Sequence, residues 1–142
     1  MIDALARALQ EGFVPGPAEK PPGLDRLLAL IDGYLGALAH SSTSGHAFLL
    51  LWSGAVTDTQ LAPTFRERDS AFRDDIAADV AAGIAEGMVR DTVRPESVAV
   101  AVIAQLRGIG MQRLLDVDAV DVERLRTEVT EQWRRALSAG SR

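Results

Sequence analysis

The sequence predicts an all-α fold of about six helices, on three observations. Alanine, leucine, valine, arginine and aspartate dominate, asparagine is absent and tyrosine occurs once. That composition favours helices over strands. Apolar residues recur at three- and four-residue spacing through most of the chain. Proline, glycine and Ser/Thr clusters punctuate those stripes where helices should start and stop. At 142 residues the length suits one domain, residues 1–142, with enough chain for a single core.

Ile2, Leu5, Ala6 and Leu9 form the stripe of a first helix, ended by Gly12 and then by Pro15, Gly16 and Pro17. With Pro15, Pro17, Pro21 and Pro22, the stretch to Gly23 reads as a stiff linker. A second helix carries Leu24, Leu27, Leu28, Ile31, Leu35 and Leu38 on one face. It stops at the polar cluster over 40–45, where Thr43 or Ser44 can cap the next helix. The third helix, about 45–56, is apolar nearly all round through Ala47, Phe48, Leu49, Leu50, Leu51 and Trp52, the pattern of a buried helix.

Thr57 and Asp58 cap a long fourth helix over about 63–88, with Pro63 in the first turn, where proline is tolerated. Its stripe is Phe65, Phe72, Ile76, Val80, Ile84 and Met88. The fifth helix runs from Pro95 to about Leu115. Residues 98–103 alternate in a way that suits a strand, but alanine at the small positions and proline at the first helical position decide for helix. The sixth, about 120–137, shows Val122, Leu125, Val129 and Trp133 at i, i+3, i+7 and i+11.

Composition also excludes function classes. With no cysteine there is no disulfide framework, thiol catalysis or cysteine-ligated zinc, which fits a cytoplasmic protein. The apolar run 47–52 is far too short to cross a bilayer, and the N-terminus lacks signal-peptide architecture, so no membrane partner is expected. Net charge is −5, from fifteen basic and twenty acidic residues spread along the chain. Without a basic patch or stripe, this chain is not expected to bind DNA by itself.

Catalytic and metal sites fare no better. His40 and His46 flank a Ser/Thr/Gly turn with no third ligand at suitable spacing; His46 is kept as a polar anchor for a cavity. Asp74, Asp75 and Asp79 read as a solvated acidic face balanced by neighbours such as Arg73. Ser53 lacks the nucleophile elbow, and Gly108 with Gly110 lacks the strand and third glycine of a dinucleotide loop. Gly83 and Gly87 sit four apart in charged surroundings, a pattern read as helix crossing in a soluble bundle. No catalytic residue, metal or cofactor is assigned, and no enzyme activity is expected.

Two features remain. Phe48, Trp52, Phe65 and Phe72 concentrate the aromatics on the third and fourth helices. They are either core filling or the wall of an apolar cavity between helices. The fifth helix has two usable faces, one small or polar (Ala101, Ala104, Gln105, Gly108, Gln112) and one apolar (Val98, Val102, Leu106, Ile109). Glycine inside a helix costs about 1 kcal/mol relative to alanine, so Gly108 and Gly110 imply close approach of another helix. Sharing one face with a second copy gives a two-fold interface.

The order of Trp52, then Asp58, Thr59, Gln60 and Leu61, then Arg66, Glu67 and Arg68 continues with Ile84, Ala85, Glu86 and Gly87. Arg90, Pro95, Glu96, Arg107, Gly108, Leu114, Leu115 and Asp116 come after them. From about Phe48 onward this resembles the C-terminal effector-binding domain of TetR-type transcriptional regulators, closest to the subgroup with the choline-responsive repressors. Three departures stand out. Arg94 replaces the usual aspartate before Pro-Glu and weakens that cap, Arg107 stands where an aspartate is common, and no N-terminal helix-turn-helix is present.

The resemblance implies an antiparallel bundle whose last two helices build a four-helix dimer interface, and a ligand pocket among the preceding helices. The expected ligand-binding residues are Phe48, Trp52, Phe65, Phe72 and Ile76, with His46, Arg68 and Gln105 as polar anchors. The expected dimer interface is Ala101, Ala104, Gln105, Gly108 and Gln112 with Val122, Leu125, Val129 and Trp133. Function then reads as a homodimeric, ligand-sensing regulatory domain for a small, mostly apolar effector. DNA would be reached only through a helix-turn-helix absent from this sequence. The alternative is a headless dimerisation module that pairs with full-length relatives and takes no ligand.

Overall fold

The computed structural model describes residues 20–40 and 43–140, with the side chains of 43–48 outside that description. Five α-helices occur there: α1 (Leu24–Ala39), α2 (Thr43–Gly54), α3 (Ala62–Ala85), α4 (Pro95–Leu115) and α5 (Val122–Leu137). A 3-10 turn at Val117–Ala119 links the last two. They correspond to the second through sixth helices expected from sequence. The first expected helix lies outside the described residues.

α1 is the central helix, packing against α5, α3 and α4, while α3 packs on α4 and α2 sits against α4. Its leucine stripe explains that position: Leu27, Ile31 and Leu35 are fully buried, with Leu24, Leu28, Leu30 and Tyr34 nearly so. They join Phe72, Ile76 and Val80 of α3 and Val98, Val102 and Leu106 of α4 in the main core. A smaller cluster of Leu49, Ala55 and Phe65, with Trp52, Leu61, Met111 and Leu114 packed against it, lies under α2. Polar ties add register. Arg126 of α5 reaches Asp32 of α1 through two hydrogen bonds, Nε at 2.7 Å and Nη2 at 3.0 Å. Its guanidinium crosses α1 at Gly36, where an added Cβ would lie 3.0 Å from Cζ.

The helix boundaries obey local chemistry. Asp58 Oδ1 accepts from the amides of Gln60 at 2.9 Å and Leu61 at 3.2 Å, closing the turn that leads into α3, and Pro63 occupies the first turn. Gly87, at φ 76°, ends α3 in the left-handed conformation that glycine tolerates best. Its amide bonds to the Ile84 carbonyl at 3.0 Å and the next amide, Met88, to Gly83 at 2.9 Å, the paired bonds of a Schellman cap. α4 starts without a side-chain cap at Arg94, as its missing aspartate implies. Asp121 caps α5 by accepting from the Arg124 amide at 3.1 Å.

Several expectations change. Gly87 serves a helix end rather than a helix crossing, while Gly83 makes room for Val89. Met88 falls beyond that end and is exposed, so it leaves the α3 stripe. Asp79 takes a place in it: its carboxylate is buried, accepting from Arg26 Nε at 2.6 Å and from the Gly23 amide at 3.3 Å. Only Asp74 and Asp75 of the acidic trio face solvent. α4 has the length and composition of a membrane span, but it is a core helix whose buried side includes Arg107.

Among the described residues the one extended pairing is a bridge between Val89 and Ser138. The Arg90 amide donates to the Leu137 carbonyl at 2.8 Å and the Ala139 amide to Met88 at 2.9 Å. The end of α5 is thereby fastened to the α3–α4 turn.

Candidate functional site

The site grows from the apolar register of α3. Phe65, Phe72 and Ile76 are buried, and the intervening position on that face is an acid, Asp69. On α4 the same substitution occurs with opposite charge. Ala99 and Ile103 are buried, and one turn further the position belongs to Arg107, whose side chain is only 3% exposed. The two helices pack together, so the charges meet: Arg107 Nη1 lies 2.7 Å from Asp69 Oδ1. A guanidinium removed from water this far requires an anion beside it.

Three aromatic side chains complete the cluster. Trp52 of α2 donates from Nε1 to Asp69 Oδ2 at 2.8 Å. The Arg107 guanidinium carbon stands 4.6 Å from the centroid of the Trp52 ring and 5.8 Å from that of Phe72, a cation held against two aromatic rings. From α1, the Tyr34 hydroxyl accepts a hydrogen bond from Arg107. Burial pushes the Tyr34 pKa above its ordinary value, against the lowering influence of Arg107, so the phenol stays neutral. Residues of α1, α2, α3 and α4 converge here, between the main core and the smaller cluster. The buried cation is thus met by the Asp69 carboxylate, the Tyr34 oxygen and two ring faces.

The expected ligand set divides around this point. Trp52 and Phe65 belong with the smaller cluster, whereas Phe72 and Ile76 are in the main core. Arg68 is half-buried on α3. Gln105 is turned toward α5, accepting from Trp133 Nε1 at 2.7 Å and donating to Gln132 Oε1 at 3.1 Å. The side chains of His46 and Phe48 lie outside the described residues. Tyr34, Asp69 and Arg107 are site residues that the sequence reading does not place there. Their signal is register, since both charges interrupt apolar stripes at positions that should be buried. Among the described residues no group of acids and histidines could hold a metal ion.

The expected pairing face also divides. On α4, Ala101, Ala104 and Gln112 are exposed and Gln105 and Gly108 half-buried, while Val98, Val102, Leu106 and Ile109 face the core. Nothing lies within 4 Å of where a Gly108 Cβ would be. Gly110, by contrast, receives Leu49 and Leu38, at 3.0 and 3.6 Å from its built Cβ. Val122 and Val129 are buried in the chain's own core, with Leu125 and Trp133 packed against it. The apolar side of an amphipathic terminal helix is used up on α1, and its outer side is charged, with Arg124–Glu128 and Arg135–Glu131 pairs along the helix.

Comparison with protein families matches residues 22–138 to the C-terminal domain of BetI-type transcriptional repressors. The chain belongs to this TetR-type family. A TetR transcriptional regulator from Chloroflexus aurantiacus J-10-fl has a similar fold, with a TM-score of 0.78 at 23% identity. The superposition covers 97% of this chain and 71% of that one. No curated protein matches. This TetR-type regulatory domain is thus all-helical in the family manner, with a buried arginine cluster and an uncovered face of small residues on α4.

Proposed function

We propose that this TetR-type domain pairs with a second copy of itself and senses a small molecule, acting in the cytoplasm to control a DNA-binding head. The observation that carries the pairing is the α4 face. Ala101, Ala104, Gly108 and Gln112 line up with Val100 and Leu115, which are 57% and 85% exposed. Small residues allow close backbone approach, and such a face repeated by two-fold symmetry is self-complementary. Gln105 and Gln132 border it, joining α4 to α5 at its edge.

Sensing is supported by the Tyr34, Trp52, Asp69 and Arg107 cluster, where four helices share one buried polar junction. A ligand that binds differently to two arrangements of those helices would shift their balance. Light scattering at micromolar concentration tests the pairing, with the native chain expected as a dimer and Gly108→Arg as a folded monomer. A native monomer would overturn it. For sensing, a screen of small organic molecules should raise the melting temperature of the native chain. A flat screen across charged and neutral classes would count against this role.

A further inference from the structure

We infer that the effector of this domain carries an anionic group, a carboxylate or similar oxyanion, which takes the place of Asp69 against Arg107. This rests on the ligand-sensing reading and deepens it. The two partners of the ion pair are unequally placed: Arg107 is 3% exposed and Asp69 17%. Arg107 is shut off from water and needs an anion beside it, whereas the Asp69 side chain lies nearer the rim, with Oδ1, the oxygen that faces Arg107, fully buried. Exchange of one carboxylate for another therefore leaves the buried charge paired throughout.

The surroundings of Arg107 select the sign of the ligand. Trp52 and Phe72, the ring faces that would greet a cationic ligand, already flank a guanidinium. An amine or quaternary ammonium would meet like charge in a low-dielectric setting. A planar oxyanion finds a guanidinium held in place by two rings and by Tyr34. The remainder of the molecule would be apolar, because the neighbours on the α2 side are Phe65, Leu61, Met111 and Leu114. Replacing Asp69 also removes the acceptor of Trp52 Nε1, so α2 loses its tie to α3 as the ligand enters. Binding and helix displacement are thus one event.

The test uses decanoate, decanol and decyltrimethylammonium below their micellar concentrations, read by Trp52 fluorescence in a Trp133→Phe background. Decanoate alone should give a saturable shift. Asp69→Asn should tighten it about tenfold, since the competing carboxylate is gone and the side-chain volume kept. Arg107→Met should abolish it. If decanoate binds equally or more weakly to the Asp69→Asn chain, the exchange is refuted even should the Arg107 variant not fold. Equal or better binding of decanol or the ammonium compound overturns the anionic class and leaves ligand sensing standing. If none of the three shifts the signal, this inference falls and the sensing role loses its support here.

Discussion

Asp69 holds Trp52 and Arg107 with separate oxygens, Oδ2 at 2.8 Å from the indole nitrogen and Oδ1 at 2.7 Å from the guanidinium. One carboxylate thus links α2, α3 and α4. Its loss leaves the more deeply buried partner uncompensated, whereas loss of Arg107 leaves a carboxylate that can reach solvent. Asp69→Ala should cost roughly 3–5 kcal/mol, the range for orphaning a buried charge, and Arg107→Met clearly less. Urea denaturation of both variants measures the difference, and equal or reversed costs would contradict the inequality in burial.

Asp79 adds a pH dependence whose sign is fixed. Burial raises its pKa above the ordinary carboxylate value, outweighing the lowering effects of Arg26 and the Gly23 amide. The folded state therefore takes up this proton at higher pH than the unfolded chain. Its contribution to stability is fully present below the unfolded pKa and is lost as pH rises through the folded one. Asp79→Asn removes that contribution, so the variant should lose ground to the native chain as pH falls through the carboxylate range. Paired denaturation curves from neutral pH down through that range check it; parallel curves would deny the shift.

Two glycines separate backbone need from surface opportunity. Gly87 has φ 76°, and Gly87→Ala should cost about 1–2 kcal/mol through left-handed strain. Gly108 is mid-helix with open space at its Cβ, so Gly108→Ala should stabilise the isolated chain by about 0.5–1 kcal/mol. Thermal melts at concentrations low enough to exclude self-association distinguish the two. Destabilisation by Gly108→Ala there would mean that the α4 face is not open within the chain.

Gln105 offers a fourth check. It joins Trp133 and Gln132 across the α4–α5 seam rather than pointing to the arginine cluster. Gln105→Leu should therefore leave the response of Trp52 fluorescence to any bound ligand unchanged while shifting Trp133 emission. A lost ligand response with Trp133 emission unchanged would return Gln105 to the ligand contacts.

Most of the architecture is legible in stripes and punctuation. The Leu24 to Leu35 spacing predicts α1, and Pro95 marks the start of α4 where the structure places it. The reading of the acidic residues fails for a physical reason. Asp79 on α3 reads as solvent-facing, yet it and Asp69 stand in the same register as Phe65, Phe72 and Ile76. Each is admitted to the interior by an arginine from another helix, Arg107 or Arg26. Sequence spacing shows where a charge interrupts a stripe but not which distant residue neutralises it. The α5 stripe raises a different point. Val122 and Val129 are apolar as their spacing implies, but periodicity alone does not say whether the covering surface belongs to the same chain. The long central helix α1 supplies it.

The bridge between Val89 and Ser138 closes the last third of the chain into a ring. Its two backbone bonds, Arg90 to Leu137 and Ala139 to Met88, form a clasp through which α4 and α5 begin and end at one place. A ring of this kind opens as a unit, because freeing either strand of the clasp exposes both. The amides of Arg90 and Ala139 should consequently exchange with deuterium at one shared rate, although two whole helices separate them along the chain. Motion at the α3–α4 turn is, by the same token, motion at the end of α5.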